Sequence, residues 1–553
     1  MGIQFSQYLI IFLSLLLTYQ SAFTQSVSLP TSSLDVIHYS FRLNIHDYTN
    51  EIQGETDVYV SFKPQNNATV ILHLHKLDSM GKRGMTVSEI LFNDQPTTFS
   101  HSDHTLKIKL PPSNVNVNTS KGTFTIKYHG IPSDGLVIGE NIYSDRTFFG
   151  DNWPNRAHFW LPTNDHPSDK ATCEFIITAP SHYQVVSNGL LREESLMIPN
   201  SETVTQYKLT HWSITNPIPT KVMVFGAARF AIQYPASDHE TPIQNWLYPE
   251  DRDLGFNQFS PTEEILTYYE SILGPYPFKK LANVQSKTQY GGMENASAIF
   301  YNEQAITNRP SIETLIAHEI AHQWFGNSLT EKKWSDVWLS EGFSTYLTHL
   351  YIEHTYGEDS LAARMLADKD RIFSFHLQSP TSSVVTEDES NLFQHLNANT
   401  YQKGAWVLHM LRNKVGDEVF FKILRQFYQR FQYNNAVTDD FVAISNKISG
   451  QNLSTFFSQW LTRSDYPVVR CTWKYQSMGK KLTVKIEQIQ SSDLYTLPLE
   501  IGLYSNKSSQ PEIKRVILNE KQKSFTFKVS KRVKEVVVDP NTIMLLETTL
   551  APK

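Results

Sequence analysis

Two histidines four residues apart flank a glutamate in the run His318-Glu319-Ile320-Ala321-His322. On a helix, positions four apart share one face, separated by about 40° around the axis. Two imidazoles so placed converge on one ion, and their nitrogens suit Zn²⁺. Glu319 projects beside them, where it reaches a water next to the ion rather than the ion itself. A catalytic zinc takes three protein ligands and keeps one position open. Glu331, Asp336, Glu341, His349, Glu353 and His354 are the candidates downstream. Glu341 stands in Trp338-Leu339-Ser340-Glu341-Gly342-Phe343. A carboxylate buried among such neighbours is costly without a cation or strong donors, so a metal partner explains Glu341 best, while a solvated helix acid is the plain alternative.

His-Glu-x-x-His, 18 intervening residues and then Glu resembles the gluzincin zinc peptidases, specifically the aminopeptidase N family. The segment from Trp334 to Phe343 is similar to that family's third-ligand segment. Asp336 within it reads either as a partner for a ligand histidine or as a helix cap. Tyr290-Gly291-Gly292-Met293-Glu294-Asn295, ending 23 residues before His318, resembles the family's Gly-x-Met-Glu-Asn. The resemblance implies that Glu294 binds a cationic α-amino group by a charge-assisted hydrogen bond. It also implies that Gly291 and Gly292 admit a substrate backbone as an added strand, and that Met293 lines the pocket for the first residue. Tyr401-Gln402-Lys403-Gly404 resembles the family's Tyr-x-Lys-Gly, which implies an oxyanion donor in Tyr401.

Taken together, the resemblance implies a zinc-dependent aminopeptidase with one Zn²⁺ per chain. Glu319 would activate the zinc-bound water, and the substrates would be peptides with a free N-terminus. A zinc endopeptidase or an epoxide hydrolase would share the metal site. A non-enzymatic exported binding protein fits the flanking β regions but leaves the helix ligands, Glu319 and Tyr401 unexplained together.

Two departures from the family are legible. The stretch from Asp151-Asn152-Trp153-Pro154-Asn155-Arg156 to Asp165-His166-Pro167 sits where the family's β domain supplies a Gln- and Glu-containing segment, yet no glutamate is present. Either Asp151 substitutes, or Glu294 works largely alone. Larger members continue into a long helical domain and this chain stops at Lys553. It therefore reads as a short form whose more open site tolerates longer peptides.

The elements that must position these groups change character along the chain. From about 33 to 230 apolar residues alternate, as in Phe41, Leu43, Ile45 and Val58, Val60, Phe62, which predicts strands. From about 260 the period turns helical, with helices expected over Pro261–Leu273, Pro310–Phe325, Trp338–Tyr356, Gly404–Leu411 and Asp439–Ile448. Past 466 strands return. The expected organisation is a signal peptide over 1–24, an N-terminal β domain over 25–230, a thermolysin-like zinc domain over 231–465 and a C-terminal β domain over 466–553. The fold class is multidomain α+β, with a β-sandwich at each end of an α-rich catalytic domain.

With 553 residues the chain is too long for one core. A formal net charge of -6 argues against nucleic acid as a partner. The apolar run Leu9–Leu17, followed by Ser21, Ala22 and Thr24, reads as an export signal cleaved near Gln25. It is too short to span a bilayer, so a secreted or periplasmic protein without stable membrane insertion is expected. Cys173 and Cys471 are the only cysteines and read as two separate thiols. Oligomeric state is not written in the sequence.

Overall fold

The computed structural model describes residues 29 and 34–550, apart from 63–68, 111–120, 198–204, 237–238, 307–310 and 507–509. The expected export signal, Leu9–Leu17, lies outside the described residues.

The alternating residues of the N-terminal region form an eight-stranded sheet. Its middle strands are Lys170–Pro180, Leu34–Asn44, Ile52–Phe62 and Lys121–Ile131. Ala171, Cys173, Phe175 and Ile177 are buried while their neighbours are partly exposed, as a strand with one covered face requires. A four-stranded sheet that includes Arg146–Gly150 and Phe225–Ala228 and a three-stranded sheet over residues 69–109 complete the region. The segment from Asp151 to Asp169 leaves the sheets and is buried almost throughout.

A five-stranded sheet begins the central region. Ile243–Leu247, Leu281–Ser286 and Ala298–Asn302 run parallel. The short strand Gly292–Met293 pairs antiparallel with Ala298–Asn302 and forms the sheet's edge. Helices follow. The first ligand helix is Glu313–Ala321, shorter than the expected Pro310–Phe325. From His322 the chain winds into tight turns that need Gly326 at φ 128, a conformation only glycine adopts freely. The second ligand helix, Trp338–Tyr356, is buried from Trp338 to Ile352, polar Ser340, Glu341, Ser344 and His349 included, and sits at the centre of the helical layer. Gly404–Val415, Glu358–Gln378 and Glu313–Ala321 pack against it.

The C-terminal strands form a four-stranded and a three-stranded sheet, with Leu482, Val484 and Ile486 of the first and Leu499 and Ile501 of the second all buried in the apolar core. Cys173 and Cys471 are both buried and unpaired. Among the described residues no helix is long and apolar enough to cross a membrane.

Candidate metal centre

The pentad puts His318 and His322 on one face at the end of the first ligand helix, with His322 as its closing residue. The second ligand helix enters from the turn Trp334–Asp336 and presents Glu341 in its first turn. The two Nε2 atoms lie 3.1 Å apart. Glu341 Oε2 lies 3.5 Å from His318 Nε2 and 3.2 Å from His322 Nε2. Among the described residues these three form the one group of His, Cys, Asp and Glu side chains whose ligand atoms all lie within 4.8 Å of one another. His318, at 19% exposure, is the accessible member, against 2% for His322 and 5% for Glu341.

The chemistry of this set fits a cation. His322 Nδ1 faces the Phe325 carbonyl at 3.1 Å and the Ser340 hydroxyl at 3.0 Å. The carbonyl can only accept, so Nδ1 carries a hydrogen, and in the neutral ring that leaves the Nε2 lone pair for the centre. Glu341 Oε2 is buried and has no hydrogen-bond partner despite its closeness to both rings. The ligand atoms of two imidazoles and a carboxylate thus converge on one point, a donor set that suits a divalent metal ion.

The other candidates are engaged elsewhere. Glu331 pairs with Lys221, His349 with Asp368 and Glu353 with Arg412, while His354 stacks on Tyr268. Asp336 does not touch a ligand histidine. Its Oδ1 accepts from the Thr438 backbone N–H at 3.0 Å and from the Thr438 hydroxyl at 2.6 Å, holding the start of the helix Thr438–Ser449. Ser340 is the hydroxyl that orients His322, and no sequence pattern had pointed to it.

Glu319 is buried. Burial pushes its carboxyl well above the ordinary range; His322 pulls it down, and Glu294 and Glu341 add to the rise. A carboxyl so raised can take and return a proton near neutral pH. Gly292 makes room for it, since a β-carbon at residue 292 would lie 2.7 Å from Glu319 Cγ.

Glu294 follows Gly291, Gly292 and Met293 at the sheet edge. Its carbonyl accepts from Gln323 Nε2 at 2.9 Å and from Asn327 Nδ2 at 2.6 Å, so the turn after the first ligand helix clamps this strand. Its Oε1 is buried with no partner. A carboxylate oxygen left so is costly unless a ligand supplies the donor. Tyr401 stacks on His318 with ring centroids 6.1 Å apart and planes 21° apart. Burial first, then Glu341, Glu294 and Glu319, raises its phenol well above the usual range, so it stays a donor.

Asp151 is committed within the protein. Its Oδ1 accepts from Arg156 Nη2 at 2.7 Å, and Oδ2 lies 3.3 Å from Thr288 Oγ1 and 3.4 Å from the Gln289 backbone nitrogen. It braces the segment between the strands Leu281–Ser286 and Gly292–Met293 that leads to Glu294, and both of its oxygens are engaged within the protein.

Residues 258–460 match the peptidase family M1 domain and residues 36–222 match the peptidase M1 N-terminal domain. The chain belongs to peptidase family M1. This is the aminopeptidase N family that the motifs resemble. A puromycin-sensitive aminopeptidase of Caenorhabditis elegans is 24% identical over 555 residues, covering 92% of this chain and 55% of that one. A glutamyl aminopeptidase of Mus musculus is 27% identical over 370 residues, covering 64% of this chain and 38% of its own length. The chain thus spans about half the length, or less, of these M1 relatives. The crystal structure of Legionella pneumophila aminopeptidase A in complex with aspartic acid superposes with a TM-score of 0.81 at 17% identity. It covers 96% of this chain and 61% of that one, and it shows the shared M1 fold.

Proposed function

We propose that the protein is a zinc-dependent aminopeptidase, removing the first residue of peptides that carry a free amino end. The observation that carries this reading is Glu294 Oε1, buried and without a partner beside a His-His-Glu centre. An endopeptidase has no use for an unpaired carboxylate there, whereas an α-ammonium group supplies the missing donors.

His318, His322 and Glu341 would hold Zn²⁺, the ion used by M1 aminopeptidases. Zn²⁺ so bound supplies a Lewis acid that makes water acidic near neutral pH and polarises a carbonyl. The chain's own groups do the rest. The open edge of strand Gly292–Met293 pairs with the substrate backbone, and Met293 lines the pocket for the first side chain. Glu294 fixes the amino end, which sets cleavage one residue in. Glu319 takes the proton of the attacking water and passes it to the departing amine. The Tyr401 hydroxyl donates to the oxygen that gains charge in the tetrahedral state.

We read the protein as exported, on the Leu9–Leu17 run and the small residues that follow it. Amino-terminal sequencing of secreted protein then reads Gln25 first. The activity is tested with an aminoacyl anilide and its N-acetyl counterpart. Hydrolysis of the free amine form alone is expected, and E294A should erase that preference. Cleavage of the acetylated form at a comparable rate contradicts the reading.

A further inference from the structure

Two glycines in the site's motifs occupy helical backbone, where alanine is favoured by about 1 kcal/mol. Gly342 follows Glu341 inside the second ligand helix. Gly404, at φ -56 and ψ -47, opens the helix Gly404–Val415. Neither has the positive φ that would require glycine. The reason is space. A β-carbon on Gly342 would lie 3.0 Å from Gly404 Cα and 3.1 Å from the Thr400 carbonyl oxygen. One on Gly404 would lie 3.0 Å from Gly342 Cα. The two backbones therefore meet with no side chain between them.

This contact joins the metal ligand to the tyrosine. Glu341 precedes Gly342, and Tyr401 lies in the π-helical turn Asn399–Lys403 that ends at Gly404. In that turn the Lys403 N–H donates to the Ala398 carbonyl at 2.9 Å, a five-residue step. Such widened turns are frequent at functional sites. Lys403 Nζ anchors the turn from behind, donating to the Arg463 carbonyl at 2.7 Å and the Asp465 carbonyl at 3.1 Å.

We propose that Gly342 and Gly404 are positioning residues, whose backbone contact sets the Tyr401 hydroxyl at its working distance from the metal centre. The inference rests on the reading of Tyr401 as oxyanion donor. An alanine at either position pushes the π-helical turn away from the second ligand helix by a few tenths of an ångström, and Tyr401 moves with it.

The test is a set of variants of the full zinc-loaded chain: G342A, G404A, Y401F and each glycine variant combined with Y401F. Y401F is expected to lower kcat by about 100-fold or more, as loss of an oxyanion donor does. G342A and G404A each lower kcat by about 3- to 30-fold through misplacement, with KM within about twofold of wild type. Zinc content stays unchanged, and a phosphinic dipeptide analogue, measured by calorimetry, binds more weakly by a similar factor. In the Y401F background the glycine variants cost less than about twofold more, because the group they misplace is gone.

Wild-type kcat in G342A, or an equal loss with and without Y401F, overturns the inference while leaving the role of Tyr401 standing. Wild-type kcat in Y401F removes that role and the inference with it. Should G342A fail to fold, G404A meets the same contact from the other side and decides the matter alone.

Discussion

Glu319 packs its carboxyl group against the bare α-carbon of Gly292, where a β-carbon would fall 2.5 Å from Glu319 Cδ. The proton-handling group and the substrate-pairing strand are thus fitted to one another, and neither helix nor sheet alone defines the site.

G292A is therefore expected to lower kcat by about 10- to 100-fold, since the carboxyl group must retreat by roughly 1 Å. The unfolding midpoint should hold, because the displaced atoms are the far end of a flexible side chain. Steady-state kinetics beside thermal unfolding separates the two, and wild-type kcat in G292A would show that Glu319 has slack.

E319Q keeps the shape of the side chain and loses its basicity. Its kcat should fall by about 100- to 10,000-fold, the usual worth of a general base, with zinc content unchanged. A variant that lost its metal instead would place Glu319 among the ligands.

Arg156 is 4% exposed and neutralises Asp151, which is 1% exposed. R156M leaves a buried carboxylate uncompensated and is expected to cost about 3–5 kcal/mol of stability. Denaturant unfolding measures this, and an unchanged midpoint would mean that Asp151 is already protonated in the native protein.

His409 gives a pH dependence with a definite sign. Its Nε2 donates to the Thr542 carbonyl at 3.1 Å, and its Nδ1 accepts from the Tyr346 hydroxyl at 3.1 Å, so the neutral ring is fully bonded. Burial lowers its pKa to about 4, with Thr542 pulling upward and Arg412 downward. The unfolded chain takes up this proton near pH 6.5 and the folded chain resists until about 4, so the contribution is intact above the first value and lost on approach to the second. It amounts to roughly 3 kcal/mol. The stability gap between wild type and H409Q should narrow from pH 7 to 4.5, and a gap indifferent to pH would mean the ring is not held neutral.

The pentad was legible because its spacing carries the geometry, whereas the Glu341 segment, Gly291 to Glu294 and Tyr401 were legible mainly through short runs that resemble family motifs. Ser340, Gln323 and Asn327 were not, because their roles depend on where two distant turns meet and polar residues of these types are common. Asp336 illustrates the difficulty. Its position before a ligand helix suited either a histidine or a helix start, and only the packing of Thr438 beside it decides. The helices Glu358–Gln378 and Asp417–Phe431 carry no chemical motif, although Phe420, Ile423, Leu424, Phe427 and Tyr428 of the second lie at plain helical spacing. The first ligand helix is shorter than its apolar spacing predicts because the tight turns after Ala321 keep Trp324 and Phe325 buried and still hold some bonds of helical type, such as Phe325 N–H to the Ala321 carbonyl.

Elemental analysis of the purified protein, stripped with a chelator and then reloaded with Zn²⁺, bears most directly on the centre formed by His318, His322 and Glu341. One zinc per chain is expected in the wild type, with loss of nearly all of it in E341A at matched protein and zinc concentrations. A wild-type protein that binds no divalent ion, or an E341A protein that keeps a full equivalent, would contradict the account.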